Sequence, residues 1–271
     1  GNPKRIVYLH VKSHRALGTM KGRLFRRKIY DALLKWKEDS RGMSAILVEG
    51  ARRVGKSTIV EQFAREHYKS YILIDFNQAS RETKELFDDL TDLDYIFLTL
   101  QATYHTSLFE RQSVIVFDEV QHCPKARQAI KYLVADGRYD YIETGSLISI
   151  RKNTENITIP SEEDRITMHP MDFEEFRWAV GDQDTVNILR KFWEIKKPLG
   201  AAHRSMQRLL RLYMLVGGMP QAVEEYISTN DLSKVDKVKR RIVTLYQEDF
   251  HKIDPSGNAA PMFMSIPGQL N

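Results

Sequence analysis

The stretch Ile46 to Ala64, ILVEGARRVGKSTIVEQFA, constrains the fold of this chain more than any other. Ile46 to Glu49, a short and mostly apolar run, reads as a buried strand. It leads into Gly50-Ala51-Arg52-Arg53-Val54-Gly55-Lys56-Ser57, which fits the pattern G-x-x-x-x-G-K-[ST]. Ile59, Val60 and Phe63 then recur at helical spacing. Strand, glycine-rich turn and helix, in that order, are what a phosphate chain requires. Gly50 and Gly55 let the backbone curl so that successive N–H groups point at one anion. The new helix aims its positive N-terminal end at the same anion. Lys56 reaches the β- and γ-phosphates and the Ser57 hydroxyl can ligate Mg²⁺. Thr58 and the loop residues Ala51, Arg52, Arg53 and Val54 complete the phosphate-binding set.

A second feature lies about 60 residues further on, where Val114 to Phe117 (VIVF) ends in Asp118-Glu119. An apolar strand ending in two acids is the Walker B pattern. It places a carboxylate at a strand tip beside the phosphate loop. Asp118 would hold Mg²⁺, directly or through water, and Glu119 would polarise the water that attacks the γ-phosphate. The plainer reading is a pair of solvated acids at a strand end. Thr144-Gly145-Ser146 follows a further strand, Tyr139 to Ile142. If that strand lies between the other two, a hydroxyl there can hold the attacking water or sense the γ-phosphate, and Ser146 is the preferred candidate over Thr144. A turn rich in Gly and Ser is the alternative.

Other residues carry less. Arg127, Arg151 and Arg165 are candidates for a γ-phosphate contact, each set against a surface role. His122 and Cys123 are adjacent but lack further spaced ligands, which argues against a transition-metal site. Lys234, Lys237, Lys239, Arg240 and Arg241 form a basic helical face, open to nucleic acid but usually just solvated. N-K-x-D, the guanine-reading motif, is absent from the sequence, so ATP is preferred to GTP.

Of 271 residues, 42% are hydrophobic and 28% charged, ordinary for a globular protein. No apolar run reaches the length of a membrane span, and the single cysteine, Cys123, rules out an intrachain disulfide. A cytoplasmic location without membrane association is the expectation. The net charge is +5, but nine of the 41 Lys/Arg and none of the 36 Asp/Glu fall within residues 1–28, leaving 32 against 36, or −4, in the rest. Residues 1–28 read as a basic leader, with 1–19 aperiodic and dispensable for folding, and the high isoelectric point is no argument for DNA binding.

Between residues 29 and 180, nearly continuous apolar strands alternate with helices: after Tyr71 to Phe76 come VIVF, Tyr139 to Ile142 and a short Arg165 to Met168. This is the pattern of a mostly parallel sheet covered by helices on both faces, an α/β fold. Ser80 and either Asp92 or Asp94 cap helices, Gly137 stops one, and Ile150 to Glu163 reads as a loop. From Phe173 to about Ile253 every periodic segment is helical, broken at Gly217-Gly218 and Pro220. Residues 181–271 form an all-helical C-terminal part. Its end, Asp254 to Asn271, reads as a linker or as the start of a truncated unit.

The blocks GARRVGKST, VIVFDEVQ, IETGSLIS and MHPMDFEEF, in this order, resemble the prokaryotic AAA-superfamily ATPases that carry a second, uncharacterised domain behind the ATPase core. The resemblance covers about residues 29–227. It implies a P-loop NTPase core of the additional-strand type, in which the sensor strand separates Walker A from Walker B. It implies ATP and Mg²⁺, and carries the phosphate and metal roles onto Gly50, Gly55, Lys56, Ser57, Asp118 and Glu119, with Ser146 in the sensor block. The basic residue the family tends to place before its Pro-Met/Leu-x-Phe-x-Glu-Phe block corresponds to Arg165, acting across a subunit interface of a homo-oligomer. YMLVGGMPQAVEEYI resembles the opening of the second domain. The function expected is ATP hydrolysis that drives or gates a conformational change. The alternatives are a nucleotide-dependent switch or scaffold with negligible turnover and a small-molecule P-loop kinase; Glu119 beside Asp118 favours water as the acceptor.

Overall fold

The structure is a computed structural model and describes residues 23–146, 161–254 and 256–269. Five strands, β1 (Ala45–Gly50), β2 (Ser70–Asp75), β3 (Ser113–Asp118), β4 (Asp140–Ser146) and β5 (Glu163–Met168), form one sheet in the order β2-β3-β4-β1-β5. Every pairing is parallel. Alternate residues of β1 feed opposite faces: Ala45 and Leu47 join one apolar cluster, Ile46 and Val48 the other. Both faces are covered, which is why the strands read as unbroken apolar runs.

Helices α1 (Ile29–Ser40) and α2 (Lys56–His67) cover one face through Leu33, Trp36, Ile59, Val60 and Phe63. After the short α3 (Arg81–Glu85), α4 (Leu93–Tyr104) and α5 (Pro124–Asp136) cover the other through Phe97, Leu100, Ile130 and Leu133. The stops and starts are chemical. Ser80 accepts from the Thr83 N–H and Asp92, rather than Asp94, from that of Tyr95. Gly137 ends α5 at φ 78°.

β4 runs through Ser146, with Ser146 opposite Gly50, so Thr144-Gly145-Ser146 continues the strand instead of forming a turn after it. β1 pairs with it as far as Gly50↔Ser146, and that outweighs the local preference of Gly and Ser for turns. β5 begins at Glu163, earlier than its apolar residues suggest, because Arg127 of α5 holds the buried Glu163 carboxylate in a fork of 2.9 and 2.8 Å. Arg127 is therefore a core residue and not a surface arginine; it is 2% exposed. Arg151 and most of the expected loop from Ile150 lie outside the described residues, as do residues 1–22.

Beyond the sheet come α6 (Phe173–Ala179), α7 (Thr185–Glu194), α8 (His203–Val216), α9 (Pro220–Thr229), α10 (Leu232–Ile253) and α11 (Ala259–Gln269). A third apolar cluster of Met171, Phe176, Val216, Ala222, Val223 and Val235 joins α6, α8, α9 and α10. The joint to the sheet passes through Gly218, whose carbonyl accepts from Met171 N at 2.7 Å; a Cβ there would lie 2.1 Å from Met171 O, so the approach requires glycine. α11 replaces the expected linker. Asp254 caps it by accepting from Asn258 and Ala259 N–H groups, and Phe263 packs on Tyr246 and Phe250. Pro261 falls in its first turn, where no intrahelical N–H is needed.

Candidate functional site

The site forms at the C-terminal edge of the sheet. Gly50 closes β1 where a Cβ would sit 2.3 Å from Met168 O of β5, and Gly55 begins α2 at φ 98°; both positions demand glycine. Arg53 also takes a positive φ of 71°, a strained backbone of the kind held at functional loops. Val54 is fully buried and anchors the loop in the core. Lys56 folds back over the loop, its Nζ donating to Gly50 O at 3.2 Å and Ala51 O at 2.9 Å. Burial lowers its pKa, against the pull of Glu119 and Asp118, while Arg52 adds to the lowering.

Asp118, at the tip of β3, is 6% exposed. Its Oδ1 accepts from Ser57 Oγ at 2.7 Å and from Thr144 Oγ1 at 2.5 Å. Burial raises the Asp118 pKa, opposed by those two hydrogen bonds. The Glu119 N–H donates to the same Thr144 oxygen at 3.0 Å, and Glu119 turns out of the strand at φ 54°. Its Oε2 accepts from Gln121 Nε2 at 2.5 Å. Because β4 lies between β1 and β3, Thr144 is the hydroxyl that ties the two acidic residues together, whereas Ser146 sits one step nearer the rim and lines the cavity. Burial and the contacts with Asp118 and Glu119 distinguish Thr144 from Ser146, and both are tertiary properties.

Lys56, Ser57, Thr58, Asp118, Glu119 and Ser146 line one cavity of about 600 Å³, within the usual range for a small-ligand site. The helical part supplies its far wall through Pro220, Glu224 and Asp249. Arg52 reaches that wall: its guanidinium pairs with Asp249 at 2.8 Å and its carbonyl accepts from Tyr246 OH at 2.7 Å. Arg165 is not brought to the cavity. It lies on the edge strand beside Leu47 and pairs with Glu163 at 2.9 Å.

Arg27 falls in the segment read as a leader, and composition offered no sign of a site role. It is buried against the phosphate loop, donating to Val54 O at 2.9 Å and His169 O at 2.6 Å, with Glu175 at 3.2 Å. Lys28 continues the attachment through Asp172 and Glu174.

Residues 43–177 match the family described as an AAA domain, and residues 207–270 match a domain of unknown function, DUF8612. No curated protein sequence matches the chain. Among solved structures it is similar to the Walker-type ATPase PABY2304 of Pyrococcus abyssi, at 18% identity and a TM-score of 0.50, over 90% of this chain and 78% of that one. It is also similar to PCH-2 of C. elegans, at 11% identity and a TM-score of 0.42, over 79% and 68%. At such identities the first likeness concerns the fold alone, and the second carries no argument. The order of the strands, the loop at the end of β1 and the two matched domains together lead to one conclusion: the chain carries a P-loop ATPase domain of the AAA type over residues 43–177, followed by a second domain of unknown function over residues 207–270.

Proposed function

We propose that this protein binds ATP with Mg²⁺, hydrolyses it, and passes the nucleotide state to its helical part. The observation that carries the reading is the hydrogen-bonded set at Asp118, in which Ser57 and Thr144 share one carboxylate oxygen and Thr144 also holds the backbone of Glu119. The loop N–H groups from Ala51 to Thr58 and the Lys56 ammonium suit a triphosphate. The hard oxygens of Ser57 and Asp118 suit Mg²⁺, which when bound neutralises charge on the β- and γ-phosphate oxygens. Glu119 then takes the proton of the attacking water. Ser146, at the cavity rim, positions that water or senses the γ-phosphate. The absence of N-K-x-D favours adenine. Because Arg52 is tied to Asp249 and Tyr246, a rearrangement of the loop is felt at α10.

Arg165, occupied by Glu163 in its own chain, acts on phosphate only in a neighbouring copy. Mixing Arg165→Ala with Lys56→Ala protein should then restore part of the ATPase rate; no recovery in a mixture shown to co-assemble removes Arg165 from the mechanism.

The central test separates binding from chemistry. Glu119→Gln keeps Asp118, Ser57 and Lys56, so a fluorescent ATP analogue should bind with near-parental affinity. A positioned general base is worth about 10² to 10⁴ in rate, so turnover should fall at least about 100-fold. Unchanged turnover overturns the assignment. One contact favours a second reading: Gln121 holds the Glu119 carboxylate. A parent that binds ATP yet turns it over negligibly would be a nucleotide-dependent switch, and Gln121→Ala would then raise its rate.

A further inference from the structure

Of the arginines expected at the γ-phosphate, Arg127 and Arg165 are both held by Glu163, away from the cavity. Four others line the cavity: Arg23, Arg27, Arg52 and Arg53. Arg27 is held by the Val54 and His169 carbonyls and by Glu175. Arg23 and Arg53 are exposed, and Arg53 also lines a second cavity, beside Arg241. Arg52 is the one whose charge reaches Lys56: burial lowers the Lys56 pKa most, and Arg52 is the cation that adds to the lowering. Charges that interact in this way lie close together, so a phosphate held by Lys56 also lies within the field of Arg52.

The Arg52 guanidinium is gripped on one side. Its Nη1 donates to both oxygens of Asp249, at 2.8 and 3.0 Å, while the Arg52 carbonyl accepts from Tyr246 OH at 2.7 Å. Tyr246 and Asp249 stand one turn apart on α10, so the helix holds both the head and the backbone of this residue. A guanidinium carries five N–H donors in a planar fork. Those on Nε and Nη2 make no hydrogen bond among the described residues. A planar pair of donors is what phosphate oxygens accept bidentately. The ion pair is also open to water, with the Arg52 side chain 40% and that of Asp249 26% exposed. Such a pair adds little to stability. What it does is fix the direction of Arg52.

We propose that Arg52 is the cation this chain itself presents to the γ-phosphate, and that Asp249 is the positioning residue that holds it there from α10. Water adds to the γ-phosphorus, the bond to the bridging oxygen breaks, and the proton of the water goes to Glu119. Arg52 donates hydrogen bonds to the phosphoryl oxygens throughout and neither gains nor loses a proton. The helical part thereby controls catalysis through one carboxylate. This role rests on the ATP hydrolysis proposed above.

Affinities for fluorescent analogues of ATP and ADP, with the steady-state ATPase rate, test it on the full 271-residue chain. Arg52→Ala should keep the parent's affinity for ADP, bind ATP at least about tenfold more weakly and turn it over at least about 100-fold more slowly. Asp249→Asn keeps the size of the side chain and removes its charge. It should slow turnover at least about tenfold and lose part of the preference for ATP over ADP. Asp249→Glu, which can still reach the guanidinium, should recover part of both. In the double variant of Arg52→Ala with Asp249→Asn, the second change should cost nothing further, because Asp249 acts through Arg52; a merely structural Asp249 would add its own loss. Should Arg52→Ala not fold, Arg52→Gln takes its place. A parent that binds neither nucleotide overturns this role together with the ATPase reading. A parent that binds ATP, set beside an Arg52→Ala protein of unchanged ATP preference and turnover, overturns it alone. So does an Asp249→Asn protein that binds ATP more tightly than the parent, since Asp249 would then compete with the phosphate, and so does full additivity in the double variant.

Discussion

Asp118 shows what a single residue tolerates for the sake of the site. Its carboxylate is buried with two hydroxyl donors on one oxygen and two further acids, Glu119 and Asp75, nearby. Burial raises its folded pKa above the unfolded value, so its contribution to stability is present at low pH and is lost as pH rises through the folded pKa. Ionised Asp118 is thus a net cost in the nucleotide-free protein. Asp118→Asn keeps an oxygen that can accept from Ser57 and Thr144. The variant should melt higher without nucleotide, by roughly 2–4 °C if about 1 kcal/mol is recovered, and should lose the Mg²⁺-dependent part of the thermal shift given by ATP. A lower melting temperature at neutral pH would count against this account of the site.

At the scale of elements, α5, β4 and β5 are joined by a buried charge cluster. Glu143 is fully buried, and Leu47 separates it from Arg165 in one row across the sheet. Burial first, then the neighbouring Glu163, raises its pKa well above the carboxylate range. Glu163 is paired with both Arg127 and Arg165. Below the raised folded pKa, Glu143→Gln exchanges a neutral acid for a neutral amide of the same size and should change stability little. The parent should lose stability as pH rises through the raised folded pKa of Glu143, and the Gln variant should lack that loss; denaturant melts at several pH values measure it. Arg127→Ala leaves the Glu163 carboxylate buried with Arg165 as its remaining cation and should cost about 3–5 kcal/mol.

At the scale of the whole molecule, the phosphate loop lies between the sheet and two attachments: residues 23–28 on one side and α10 on the other. Deleting residues 1–19 should leave the melting temperature within a few degrees, since that segment shows no periodicity. Deleting residues 1–28 removes Arg27 and Lys28, strands the buried Glu175 and strips Phe25 from the third apolar cluster. Breaking the buried pair alone is worth about 3–5 kcal/mol, so the second deletion should melt far lower. Equal melting of the two truncations would show that the Arg27 contacts are dispensable.

The phosphate loop was legible in the sequence because its chemistry is local. Gly50, Gly55, Lys56 and Ser57 act through backbone freedom and through bonds made within a few residues of each other. The strands that carry it were legible as well, since burial on both faces leaves an unbroken apolar run. Asp118 and Glu119 could be picked out by their position at the end of such a run. Arg27, Arg127, Tyr246 and Asp249 could not, because their partners lie 27 to 197 positions away and nothing in their neighbourhoods distinguishes them from surface residues. Thr144 and Ser146 are told apart by depth and by the contacts depth allows, and depth is decided when β4 inserts between β1 and β3. Arg52 belongs to both classes: the motif places it in the loop, and only the docking of α10 decides which way its guanidinium is turned.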